Sequence, residues 1–221
     1  MKYLFLFSLL TALFWGKQAT AQDSTGLSGI ISQEKTLARG AKSPYLFNEW
    51  YSGTVRTGDD KVHDGIYLRY DVEKDELEYK SGSGIYRLSQ GVTEFTIPTG
   101  TDLYIFKNGF PGVGEYNNNS FYRLLYDGNV KLLKKYTGAI LVEKASPTQA
   151  LDPDSKLYIF KDEKLSQVKL NDKNSFLKLL SDEKNKMLYT IKEQQLEFGA
   201  EDDLISLLEE YDSFKAGRGG N

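Results

Sequence analysis

The sequence predicts an α+β protein: a mainly antiparallel β-sheet, a meander or open barrel, followed by two or three C-terminal helices packed on it. Three observations predict it. Between Trp50 and about Leu170, apolar and polar residues alternate at the two-residue period of half-buried strands. From Asn174 onward the apolar period lengthens to that of a helix. Strands first and helices last is an α+β order, in which helices cover a sheet face.

The 221 residues begin MKYLFLFSLLTALFWGKQATAQ, the layout of an export signal. Lys2 is followed by an apolar stretch from Tyr3 to Trp15 and a small-x-small site at Ala19-Thr20-Ala21. Residues 1–21 are read as a removable signal peptide, with Gln22 as the first mature residue. So short an apolar stretch does not comfortably cross a membrane core of ~30 Å. Residues 22–42 are small and polar and are read as a flexible leader, partly ordered near Ile30-Ile31. Residues 43–216 are expected to form one α+β domain, β-rich over 50–170 and helical over 174–214. Residues 217–221 read as a frayed tail.

Ile66, Leu68 and Tyr70 share one strand face, as do Leu77 and Tyr79, and Glu73-Lys74-Asp75 makes the turn between them. Phe95 and Ile97 mark a further strand, stopped by Pro98 and Gly100. Asp127-Gly128 signals a second hairpin. Its expected register opposes Leu124 to Val130, Tyr122 to Leu132 and Arg123 to Lys131, with Gly128 at positive φ. Leu103-Tyr104-Ile105-Phe106 and Leu157-Tyr158-Ile159-Phe160 are apolar on both faces and predict central strands covered on both sides. Leu-Tyr-Ile-Phe-Lys occurs at 103–107 and 157–161, each time followed by Asn-Ser-Phe, at 119–121 and 174–176. Duplication is one reading. Reuse of a small strand alphabet is the other, favoured because a hairpin follows the first copy and a helix the second.

Phe176, Leu180, Met187 and Ile191 fall on one helix face beside Leu177 and Leu188. Asn174 or Ser175 is expected to cap this helix, and Ser181-Asp182 to break it. Gly199 ends the connection to a last helix, where Glu201-Asp202-Asp203 suit the dipole of the first turn and Leu204, Leu207, Leu208 and Tyr211 form the apolar stripe.

Composition excludes several chemistries. The chain has no cysteine and one histidine, so disulfides, thiolate chemistry and multi-histidine metal centres are out. Loss of Lys2 and Lys17 with the signal leaves 26 basic against 31 acidic residues, moving the net charge from −3 to −5. The basic residues are scattered, without a nucleic-acid footprint. No long apolar run follows the signal, so no membrane insertion is expected after cleavage.

The stretch Ser43-Pro44-Tyr45-Leu46-Phe47-Asn48-Glu49-Trp50, with Gly53-Thr54-Val55, Leu68-Arg69-Tyr70-Asp71 and Asp75-Glu76-Leu77-Glu78-Tyr79, resembles the N-terminal signature of a family of uncharacterised secreted proteins of Gram-negative, Bacteroidetes-type bacteria. Phe121 to Leu125, Gly128, Val130 to Tyr136 and the Leu196 to Tyr211 region continue the resemblance. The chain departs from it at Gly58-Asp59-Asp60-Lys61, where an Asp-Gly turn is common. The resemblance implies an exported bacterial protein and no particular activity.

His63 is the one candidate imidazole, but no Gly-x-Ser-x-Gly elbow accompanies it, and it reads as a turn histidine. Asp152-Pro153-Asp154-Ser155 lacks the remainder of a calcium loop. Gly109-Phe110-Pro111-Gly112-Val113-Gly114 and Gly82-Ser83-Gly84 lack the sequel of a phosphate cradle and read as turns. Asn118-Asn119-Ser120 reads as a polar loop, although it matches a glycosylation sequon. The 15 tyrosines suit half-buried strands or a sugar- or protein-binding face. No catalytic, cofactor-binding or metal-ligating residue is assigned, and no cofactor is expected. The chain is expected to be an exported, non-catalytic envelope protein, periplasmic rather than released, binding an unknown envelope protein or glycan. A carboxylate-based glycan hydrolase and a periplasmic carrier of an apolar ligand are the alternatives. The largest cleft discriminates among them.

Overall fold

A computed structural model describes residues 20–22, 26–33, 42–88, 91–100, 102–137, 140–141 and 154–217. The strands are β1 (Thr20–Gln22), β2 (Ser28–Ser32), β3 (Lys42–Ser43), β4 (Tyr51–Thr57), β5 (Val62–Asp71), β6 (Glu76–Ser81) and β7 (Gly84–Leu88). They continue with β8 (Val92–Pro98), β9 (Leu103–Lys107), β10 (Tyr122–Asp127), β11 (Lys131–Tyr136), β12 (Ile140–Leu141), β13 (Ser155–Lys161) and β14 (Lys164–Val168). The helices α1 (Lys173–Leu179), α2 (Lys184–Glu193) and α3 (Glu201–Lys215) follow, with a 3₁₀ turn at Ser181–Glu183 between the first two. The predicted α+β class is the observed one.

Twelve strands form one sheet in the order β1-β2-β7-β6-β5-β4-β8-β9-β10-β11-β13-β14, and every described pairing is antiparallel. The order forces a curl. In a flat sheet β7 and β8 would be four strand spacings apart, about 19 Å. Only four Cα steps join Leu88 to Val92, at most about 15 Å. The sheet from β7 to β8 therefore bends round until its ends approach, as in an open barrel. Inside the curl lies one core, with Leu68, Tyr70, Tyr79, Phe95 and Phe106 all fully buried. The rings of Phe95 and Phe106 stack at 4.7 Å.

Beyond β9 the sheet has two covered faces. Leu132, Leu157 and Ile159 face the helices, where Phe176, Met187, Leu204, Leu207 and Leu208 meet them. Tyr122, Leu133, Tyr158 and Leu165 face the β9–β10 connection, which lays Phe110, Val113 and Tyr116 over them. The two-sided apolar pattern of residues 157–160 thus fits β13. It fails for β9, where Leu103 is 57% exposed, because the curl covers only the inner face of that strand.

Other expectations need correction. The partial order expected near Ile30-Ile31 is β2, but it goes further than a flexible leader allows: Gly29 registers with Leu88 and Ser32 with Ile85, and Leu27 enters the core. The hairpin register is shifted: Leu124 opposes Leu133 and Arg123 opposes Lys134, with a bulge between Leu124 and Tyr126. The bulge adds a residue to one strand, which two-residue alternation could not reveal. Arg123 therefore faces Lys134 rather than Lys131, and each cation has its own partner: Lys134 pairs with Glu201 at 2.9 Å, while Arg123 donates to the Tyr136 hydroxyl and lies 3.7 Å over the Tyr104 ring. Asp172, not Asn174 or Ser175, caps α1 through the Ser175 amide. Leu188 is partly exposed, whereas the rest of the predicted helical stripes are buried. The two Asn-Ser-Phe copies differ in structure, one a loop and one inside α1, against duplication.

Residues 1–19, with the apolar stretch of the expected signal, lie outside the described residues, as do Asp152 and Pro153; Thr20 and Ala21, on the signal side of the expected cut, belong to the edge strand β1, which the cut would remove from the sheet.

Candidate functional site

A cavity of about 540 Å³ opens at the mouth of the curled sheet. Its volume lies within the range of small-molecule sites. Five segments meet there: β2, the β5–β6 turn with the start of β6, the end of β7 with its link to β8, the end of β9, and the loop leading into β10. Leu77, Leu88, Val92 and Phe121 supply apolar wall; Asp75, Glu76, Arg87, Asn108 and Asn119 supply polar groups.

Each polar group is positioned by local structure. Asp71 Oδ1 accepts the amides of Glu73 and Lys74, which closes the β5–β6 turn. The chain leaves that turn through Asp75 at φ 58°, a left-handed conformation that Asp tolerates better than most residues. This points the Asp75 carboxylate inward, where it accepts from the Tyr70 hydroxyl and the Phe121 amide. Behind it stands Lys135 of β11, 2% exposed, with Nζ 2.6 Å from Asp75 Oδ2. The same ammonium donates to the Phe121 carbonyl at 3.0 Å and to the Tyr70 hydroxyl at 3.3 Å.

At the rim, Arg87 Nη1 donates to both Glu76 oxygens at 3.0 and 3.1 Å. Asn108 Nδ2 donates to the Val92 carbonyl, which fixes its amide plane at the start of β8.

Burial shifts the groups behind the wall. It pushes the Lys135 ammonium below the ordinary lysine value, against the opposing pull of Asp75. Burial and then the Asp75 charge drive Tyr70 well above the usual tyrosine value. Tyr116 is pushed up to about 12 by burial and by its hydrogen bond with Glu115.

His63 is half-buried at the start of β5, opposite Val55, and does not line the cavity. Gly82 and Ser83 form the two-residue β6–β7 turn, and Gly109–Gly114 lie in the β9–β10 loop. The polar-loop reading of Asn118-Asn119-Ser120 holds, and its Asn119 reaches the cavity. Among the described residues no group of three or more His, Asp or Glu could hold a metal ion. No described helix is long and apolar enough to cross a membrane.

A second buried polar cluster lies on the outer face of β5 and β6. Arg69 and Glu78 form an ion pair at 3.1 Å, both side chains 5% exposed. The Arg69 guanidinium lies 3.6 Å from the Tyr45 ring centre and 4.3 Å from that of Trp50. This cluster fastens residues 44–50 across the sheet, helped by the bond from the Leu46 amide to the Tyr70 carbonyl.

Sequence reasoning singled out none of the cavity residues as a site. Asp75 reads as a turn residue, and Lys135 as one of the scattered basic residues. The signal lies in an oddity: Lys134 and Lys135 are neighbours in one strand and so point to opposite faces, and both are buried.

Fold and cavity together define an antiparallel α+β protein with a mixed polar and apolar pocket at the mouth of a curled sheet. No family model, curated protein or solved structure matches the chain.

Proposed function

We propose that this chain is an exported protein that binds a small, neutral, hydroxyl-rich ligand, such as the end of a glycan, in the mouth cavity without transforming it. The observation that carries this reading is the state of the two cavity acids. Asp75 is committed to Lys135, Tyr70 and the Phe121 amide, and Glu76 to both bonds from Arg87. Each negative charge has its own cation, so the wall offers paired charges, amides and one aromatic ring. Such a wall favours hydroxyl groups over ions. Glycoside hydrolysis needs one carboxyl that hands over a proton and a second that attacks or activates water; two carboxylates that already face donors are acceptors only. An apolar carrier calls for an enclosed greasy cavity, whereas this one is open and rimmed by polar groups.

Export is supported by the layout of residues 1–21 and by the resemblance to secreted proteins. The test uses protein secreted from an expression host. Its intact mass is expected to match a chain starting at Gln22. Titration with N-acetylglucosamine and cellobiose, followed by amide NMR, is expected to move the Asn108, Asn119 and Phe121 signals for at least one sugar. Asn119→Ala is expected to weaken that binding about tenfold, through one lost hydrogen bond. Release of cleaved sugar, or no shift at these amides with either sugar, defeats the binding reading.

A further inference from the structure

We propose that Lys135, out of the ligand's reach, is the positioning residue of the mouth cavity: its ammonium holds the Asp75 and Phe121 walls together, so that ligand affinity falls when that ammonium loses its proton. The proposal deepens the binding reading and rests on it for the affinity claim. The geometry behind it stands separately.

An ammonium has three donors and no acceptor. Three acceptors surround Lys135 Nζ: Asp75 Oδ2 at 2.6 Å, the Phe121 carbonyl at 3.0 Å and the Tyr70 hydroxyl at 3.3 Å. Two of these three groups belong to residues that line the cavity, one from the β5–β6 turn and one from the loop entering β10. Lys135 does not line it. The Phe121 amide also donates to Asp75, so the two walls are joined directly and through Lys135. A neutral amine has two donors and one lone pair, and leaves one of the three acceptors without its hydrogen bond.

Other charged and titratable groups complete the surroundings. Tyr116 and Tyr122 place their rings 5.4 and 5.7 Å from Nζ. Lys156 of β13 is the cross-strand partner of Lys135 and is paired with Glu115. Asp71 acts on Tyr70 from the start of the turn. Tyr70, Tyr116 and Tyr122 all have raised values, so they keep their protons while Lys135 titrates.

The sign favours a local event. Burial lowers the folded-state value of Lys135 below its unfolded value of 10.5. Between those two values the unfolded chain binds more protons, so this group's contribution to stability rises with pH. Losing the proton therefore loosens the wall without melting the fold.

The experiment follows the Phe121 and Asn119 amide signals of the full mature chain from pH 7 to 11, in wild type, Lys135→Arg and Lys135→Met. Wild type is expected to titrate with a midpoint below 10.5. Lys135→Arg, which keeps its charge throughout, and Lys135→Met are expected to lack that titration. In parallel, affinity for whichever of N-acetylglucosamine or cellobiose binds at pH 7 is expected to fall at least tenfold by pH 10.5 in wild type and to hold in Lys135→Arg. A flat Phe121 signal in folded wild type, or a Lys135→Arg that titrates like wild type, overturns the positioning role whether or not sugar binds. If the amides titrate as expected while affinity stays constant, the ammonium does not govern the site and the proposal is equally lost. If neither sugar binds at pH 7, the binding reading fails first, and with it the affinity claim.

Discussion

At the scale of single residues, the chain places charge where water cannot reach and then compensates it. Arg69 and Glu78 are the sharpest case, because both are almost wholly buried. Arg69 has two aromatic faces beside its guanidinium, and Glu78 accepts additionally from Ser32 Oγ at 2.9 Å. Removing one member strands the other in a poor solvent, whereas removing both leaves only a packing change. Arg69→Met is expected to cost about 3–5 kcal/mol in urea denaturation, and Arg69→Met with Glu78→Leu to recover most of that loss. If the double variant is as unstable as the single one, the aromatic stacking and not the charge pair holds residues 44–50. Gly128 shows a different residue-level demand. It was expected to supply a positive φ, yet it is absent from the positive-φ glycines. A methyl group there would overlap the Asp212 carboxylate, which also accepts from the Tyr126 hydroxyl and the Asn129 amide. The glycine is needed for the close approach of α3, a contact between residues 84 positions apart that no local turn rule contains.

At the scale of elements, apolar stripes do most of the docking and one carboxylate fixes its geometry. Leu204, Leu207, Leu208 and Tyr211 of α3 are all buried against the sheet. This was legible in the sequence because a helix repeats its inward face every three or four residues. Strand β2 was only partly legible: Ile30-Ile31 marks local order, but Ser-Gly-Ile-Ile-Ser has little pattern, and pairing with β7 makes it a strand. Asp182, in the 3₁₀ turn between α1 and α2, ties three elements together. It accepts from Lys161 of β13 at 2.6 Å, from the Tyr211 hydroxyl of α3 at 2.6 Å and from Lys215 at 3.2 Å. Burial opposes its charge, but these hydrogen bonds outweigh burial and hold its carboxyl well below the usual carboxylate range. A depressed folded-state value stabilises the fold above the unfolded value of 3.8 and loses that stabilisation as pH falls below it. Asp182→Asn is expected to cost on the order of 1 kcal/mol at pH 7, kept small by its water-exposed side chain. Denaturation measured from pH 7 down to pH 2 is expected to show the gap between wild type and variant narrowing steadily below the unfolded value of 3.8. A gap that stays constant across that range means that the carboxylate charge contributes nothing.

At the scale of the whole molecule, one sheet serves two differently built halves. The first half curls on itself around aromatic rings, and the second lies between helices and a long loop. The division into strands and helices could be read from the change of period. The cavity could not, because it is assembled from five segments brought together by the curl, and the curl follows from strand order rather than from any local pattern. The junction between the halves is narrow. β9 and β10 register through only two pairs, Tyr122 with Lys107 and Arg123 with Phe106, whereas β11 and β13 register along their whole length from Lys131 to Tyr136. Side chains reinforce that seam from behind. Phe121 and Tyr136, from the second half, enter the core of the first. Lys135 crosses the same boundary to Asp75 and Tyr70. Cooperative unfolding requires that neither half gain by melting alone, so this joint decides whether the molecule melts as one unit. Wild type is expected to give a single calorimetric transition with equal calorimetric and van't Hoff enthalpies. Lys135→Met removes the cross-boundary ion pair and leaves the Asp75 charge without its cation, which weakens the first half while sparing the packing of α1 to α3 on β11 and β13. Its heat-capacity trace is expected to split or broaden, with the curled half melting first and the Phe121 and Asn108 amides losing hydrogen-exchange protection before those of Leu207 and Leu208. A variant that melts in one sharp transition, with all four amides exchanging together, would place the coupling in the shared strands and not in the buried lysine.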